Sequence, residues 1–119
     1  MTRTVLIVDD HPSFRATARA VLEAEGFRVV GEARDGGEAL SLVETLRPDV
    51  VLLDVHLPDS NGFELATELR RANGSGPSVV LVSSRDAGDY GAALIAGCGA
   101  CGFIAKGELT GDGVRALLG

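Results

Sequence analysis

Val50-Val51-Leu52-Leu53-Asp54, followed by Val55-His56-Leu57-Pro58, is an unbroken apolar run closed by an acid. Apolar residues at consecutive positions, without alternation, describe a short strand covered on both faces, as in a parallel sheet with helices above and below. Val5-Leu6-Ile7-Val8 runs into Asp9-Asp10 in the same way near the N-terminus. Parallel strands share one carboxyl edge, so Asp9, Asp10 and Asp54 converge on one shallow cleft. Crowded carboxylates stay charged when a cation sits among them, and hard oxygen ligands favour Mg2+ over a soft transition metal. Lys106 follows a later apolar segment, Phe103-Ile104-Ala105. If that segment is another strand, the ammonium reaches the same cleft.

Working outward, the period of the pattern alternates. Phe14, Ala18, Val21 and Leu22 share one helical face after Pro12, and Gly26 suits the exit. Phe27 to Val30 reads as a second strand. Ala39, Leu42, Val43 and Leu46 form the inward stripe of a helix over residues 38–46, stopped by Pro48. Residues 49–54 make the third strand, and Phe63, Ala66 and Leu69 mark a helix over 62–72. Asn73-Gly74-Ser75-Gly76-Pro77 is expected to turn. A fourth strand over 79–82, a weaker helix over 86–96, a fifth strand over 103–105 and a last helix over 108–118 complete the chain. Five strands in strict alternation with five helices call for one parallel sheet with helices on both faces, an α/β fold.

The 119 residues allow one domain. An apolar fraction of 45% excludes a disordered tail. Neither a bilayer span nor a signal peptide is visible, so a soluble, cytoplasmic protein is expected, with no membrane partner. Eleven basic against seventeen acidic residues, the basic ones not gathered into a stripe, disfavour direct nucleic-acid binding. Cys98 and Cys101 have redox or zinc spacing. A zinc site needs four ligands and could draw only on His11 and His56, and a redox motif belongs at a helix start, so two small thiols packed at a helix-to-strand junction are expected instead. Eight of the 16 glycines lie between positions 85 and 113. Inside helices they weaken them, which makes the fourth-helix side a candidate for motion.

Val5-Leu6-Ile7-Val8-Asp9-Asp10-His11-Pro12, the run from Asp54 to Gly62, the hydroxyl pair Ser83-Ser84 and the segment from Gly99 to Lys106 stand in an order that resembles the receiver domain of two-component response regulators. The resemblance covers nearly the whole chain and implies a flavodoxin-like (βα)5 domain over 1–119, strand order 2-1-3-4-5, with no output domain following. It implies a phosphoacceptor switch and not an enzyme in the ordinary sense. Asp54 would take a phosphoryl group from a histidine kinase or phosphotransfer protein. Mg2+ would be held by Asp10 directly, by Asp9 largely through water, by Asp54 and by the backbone carbonyl of His56. Lys106 and a serine hydroxyl would contact the phosphoryl group. Strand alternation favours Ser83, the distance back from Lys106 favours Ser84, and Ser83 is the choice. Phe103 is the expected switch aromatic, coupling the cleft to the face of the fourth helix, fifth strand and fifth helix, where a downstream protein or a second copy could bind.

Some residues depart from the pattern. Gly107 stands where many relatives have proline, Leu57 replaces a common methionine, and Phe103 lacks a tyrosine hydroxyl, so a switch there works through packing. His56, two residues past the acceptor, is placed to shield or polarise attacking water. Two other functions compete. A phosphatase of the haloacid dehalogenase type would need an aspartate where His56 stands, and a receiver-like binding module that is never phosphorylated usually lacks an acid or the lysine. Asp9 and Asp10 could also be plain caps of the first helix.

Overall fold

The computed structural model describes residues 2–72 and 76–119. The elements run β1 (Thr4–Val8), α1 (Pro12–Ala24), β2 (Arg28–Ala33), α2 (Gly36–Leu46), β3 (Val50–Asp54), α3 (Gly62–Ala72), β4 (Ser78–Ser83), α4 (Ala92–Gly97), β5 (Gly102–Ala105) and α5 (Gly111–Leu118). All strands pair in parallel, in the order β2-β1-β3-β4-β5. Three residues of the expected turn, 73–75, lie outside the described residues.

The central strands follow directly from their sequence. Every residue of β3 is buried, and the side chains of β1, β3 and β4 alternate between two cores. Leu6, Val8, Val51, Leu53, Val79 and Leu81 meet α2 and α3 on one face. Val5, Ile7, Val50, Leu52, Val80 and Val82 meet Ala18 and Leu22 of α1 and Val114 of α5 on the other. A strand buried on both faces has no polar side to show, which is why its sequence does not alternate.

Where the boundaries move, local chemistry explains it. β2 continues past Val30 through Gly31 and Glu32 to Ala33, with a register shift opposite Val5 and Leu6. Glu32 is held there by Arg15 and Arg19 at 3.0 and 2.8 Å, an ion-pair pattern that apolar periodicity cannot announce. Those guanidiniums, Arg19 foremost, hold the Glu32 carboxyl below its ordinary range. The helix expected over 86–96 divides into a 3-10 turn, Ala87–Asp89, and a six-residue α4. Gly91, at φ 91°, breaks the two apart in a conformation that side chains other than glycine adopt with strain. The last helix likewise begins late, with Thr110 capping Gly113 N–H at 2.9 Å after a 3-10 turn at Lys106–Glu108. The thiols differ from expectation: Cys98 is buried, its Sγ 3.0 Å from the Ile95 carbonyl, whereas Cys101 is exposed. Only one of the pair is packed at the junction, because Cys101 stands at the surface end of the turn into β5. No helix among the described residues is long and apolar enough to cross a membrane.

Candidate functional site

The carboxyl edge of β1 and β3 carries the acids. Asp9 and Asp54 are buried, 0% and 2% exposed, while Asp10 stands at the surface. One ligand atom from each of Asp9, Asp10, His11 and Asp54 falls within a cluster 4.8 Å across. Lys106, just past β5, places its Nζ 2.6 Å from Asp9 Oδ2 and 3.4 Å from Asp54 Oδ2. Its charge also lies 4.6 Å above the Phe14 ring, which fixes the stem over α1. Asp9, Asp10, Asp54 and Lys106, expected at one edge, lie together there. Capping of α1 does not account for the acids: the N-cap is His11, and Asp9 instead accepts from His11 N–H at 2.8 Å.

Local sequence holds Asp54 in place. Gly62 opens α3 against the backbone of the acceptor strand, where an added Cβ would meet the Asp54 carbonyl oxygen at 2.6 Å and Val55 Cα at 2.8 Å. Its N–H donates to the Val55 carbonyl at 2.7 Å. The loop between is pinned from the other side by Asp59, which accepts from Gly36 and Gly37 N–H at 2.8 and 3.1 Å at the start of α2. Those two donors hold the Asp59 carboxyl below its ordinary range.

Burial raises the pKa of Asp54, and the Asp9 charge raises it further, against the opposing pull of Lys106 and of the His56 N–H. The Lys106 ammonium thus serves two buried carboxylates, with Asp10 beside them at the surface. Asp9 Oδ2 accepts no hydrogen bond from any described residue, although the Lys106 charge neutralises it in part. A buried acceptor left in this state costs free energy that a cation in the cluster would recover. Three carboxylates within this span are a donor set fit for a divalent metal ion.

The remaining expected residues surround the acids. Ser83 ends β4 fully buried, one residue past Val82, which pairs with Asp54. Ser84 is exposed. Phe103 lies in β5 opposite Leu81, half-buried against the core. The His56 side chain is exposed, and the backbone N–H of His56 donates to Asp54 Oδ1 at 3.3 Å.

Tyr90 went unnoticed in the sequence. Its hydroxyl lies 2.8 Å from both Ser83 Oγ and His56 Nε2, and its ring contacts Phe63, Phe103 and His56 at 5.4, 5.7 and 5.8 Å. It sits in a glycine-rich stretch without periodicity. The available signal was that it is the one tyrosine of the chain, seven residues past Ser83. His11 joins the same cluster, with its Nδ1 2.9 and 3.1 Å from Asp9 and Asp10.

The model of the response regulator receiver domain family matches residues 5–117. The chain is 38% identical over 112 residues to the DNA-binding transcriptional activator EvgA of Escherichia coli, covering 94% of this chain and 54% of EvgA. It spans about half the length of the curated relatives it matches. Among solved structures, the receiver domain of NarL from Mycobacterium tuberculosis superposes with a TM-score of 0.82 at 34% identity, covering 98% of this chain and 94% of that one. A LuxR-family response regulator from Aurantimonas superposes with a TM-score of 0.87 at 30% identity, covering 99% and 84%.

Proposed function

The chain belongs to the response regulator receiver domain family, and from that premise we propose that Asp54 is its phosphoacceptor, charged by a histidine kinase or phosphotransfer protein. The supporting observation is the pair of buried carboxylates, Asp54 and Asp9, sharing the ammonium of Lys106 at the carboxyl edge of the sheet. Phosphoryl transfer asks little covalent chemistry of a protein and much positioning and charge neutralisation. An Asp54 carboxylate oxygen forms the new bond to phosphorus as the bond from phosphorus to the donor imidazole nitrogen breaks. That nitrogen keeps the electron pair.

Asp9, Asp10, Asp54 and the backbone carbonyl of His56 would hold Mg2+, which when bound supplies positive charge to the phosphoryl oxygens. Lys106 adds a second positive charge from the β5 side. Ser83, buried at the end of β4, donates its hydroxyl to a phosphoryl oxygen, and Phe103 carries the change to the face formed by α4, β5 and α5. His56 is the residue that sets how long the acyl phosphate lasts. The unit works in the cytoplasm through protein partners, donor on one side and a downstream protein or a second copy on the other, with 1–119 acting as one receiver domain.

Incubation with Mg2+ and phosphoramidate, followed by intact mass, tests the assignment. The expected result is a gain of one phosphoryl group that is absent in Asp54→Ala. Chasing the modified protein over time compares wild type with His56→Ala. No mass gain, or an equal gain in Asp54→Ala, overturns Asp54 as acceptor, and equal decay removes the role of His56.

A further inference from the structure

Tyr90 stands at the end of the 3-10 turn, on the segment leading into α4, yet its hydroxyl reaches back to the ends of β3 and β4. A count of protons and lone pairs says what this contact can do. Ser83 Oγ has one proton and two acceptor positions. The Arg85 N–H takes one acceptor position at 3.1 Å. If Tyr90 donates to Ser83, both are filled, and the single Ser83 proton is left for another acceptor at this fully buried site. Tyr90 has then spent its own proton, so the contact with His56 at 2.8 Å requires the imidazole to donate from Nε2. In the opposite order Ser83 donates to Tyr90 and has no proton to offer an acceptor at Asp54.

We propose that Tyr90 is a positioning residue, the middle link of a donor chain from His56 through Tyr90 and Ser83 to a phosphoryl oxygen on Asp54, and that completing this chain orders the segment 86–97. The proposal rests on Asp54 being the phosphoacceptor. A chain of hydrogen bonds ending on an anion is polarised along its length and each bond is strengthened. The segment gains most, because few contacts hold it otherwise. No residue of α4 is buried, and among the described residues the polar bonds of the segment 86–98 are local apart from those of the Tyr90 hydroxyl and of the Cys98 carbonyl, which accepts from the Thr67 hydroxyl at 3.3 Å. The tyrosine ring is wedged between Phe63 of α3 and Phe103 of β5, so the hydroxyl is aimed by packing on both sides.

The test uses the protein loaded with phosphoramidate and Mg2+, its modification verified by intact mass, and amide hydrogen exchange across 86–97. In the wild type, exchange there slows by roughly threefold or more on phosphorylation. Tyr90→Phe keeps the ring and its contacts, takes up the phosphoryl group, and shows no slowing. A second readout is the His56 side-chain nitrogen spectrum, in which phosphorylation favours the proton on Nε2 in the wild type and not in Tyr90→Phe. Slowing in Tyr90→Phe equal to wild type overturns the proposal. A wild type that gains the mass without slowing overturns it while leaving Asp54 as acceptor, and one that gains no mass overturns both.

Discussion

The half of the molecule built on β1, β3 and β4 and the half built on β5 and α4 use the same elements, strands packed against helices, with different amounts of buried surface. Leu6, Ile7, Val51, Leu53, Leu81 and Val82 are completely inaccessible, whereas no residue of β5 is fully buried. α3 has eleven residues and buries Leu65, Ala66 and Leu69; α4 has six and buries none. The acids stand on the tightly packed half and Lys106 enters from the loosely packed one. A cleft of like charges needs a rigid base to keep the carboxylates from drifting apart, while a face that responds to the cleft needs a low cost of rearrangement. The contrast assigns the two tasks to different strands of one sheet.

The comparison breaks if truncations in the two halves cost the same. Leu81→Ala removes a fully buried side chain from β4 and should cost about 3 kcal/mol. Ile95→Ala removes the half-buried anchor of α4 and should cost about 1 kcal/mol or less, since much of the side chain already meets water. Urea unfolding measures both. Equal losses would mean that α4 is as integral to the fold as the central strands.

A smaller effect tests the charge on the rigid side. The raised pKa of Asp54 means that the folded protein binds a proton more tightly than the unfolded chain does, so stability falls as pH rises from the unfolded carboxyl's range through the folded one. Asp54→Asn should therefore stabilise the metal-free protein at neutral pH by on the order of 1 kcal/mol, while Lys106 keeps Asp9 as partner. Melting temperature followed against pH should show the advantage shrinking in acid, where Asp54 in the wild type is itself neutralised. An advantage that widens in acid would mean that Lys106 outweighs burial and that the carboxylate is favourably placed as it stands.

The same asymmetry explains what could be read from the sequence. β1, β3 and β4 were legible because burial on both faces leaves one kind of residue at every position, and the acids were legible because a charge ending such a run has few bland explanations. Gly62–Ala72 was found to its last residue because Phe63, Ala66 and Leu69 repeat at helical spacing. β2 was cut short because its C-terminal half is stabilised by Arg15 and Arg19 from another element, a tertiary contact without local signature. α4 was overextended because the turn at Gly91 depends on a backbone angle, and glycine alone does not say whether that freedom is used. Tyr90 escaped because its role is defined by two partners, Ser83 and His56, brought together only by the sheet.

The glycines of the loose half offer the smallest and most local test. Gly97 ends α4 with nothing within 4 Å of where a Cβ would be, and its φ is not in the left-handed range, so alanine fits without displacement. Gly97→Ala should gain about 0.5–1 kcal/mol, from reduced freedom of the unfolded chain and better helix propensity. Gly102 in β5 is the opposite case, because its Cβ would meet Leu117 Cδ2 at 2.5 Å, so Gly102→Ala must displace the Leu117 side chain of α5. If α4 is weak because of its own composition, Gly97→Ala slows hydrogen exchange within 92–97 and leaves exchange in β1 and β3 close to the global value. If exchange in α4 already matches that of β1 and β3 and slows by the same factor as theirs, the helix opens only with the whole domain, and the division of the sheet into a rigid and a responsive half is wrong.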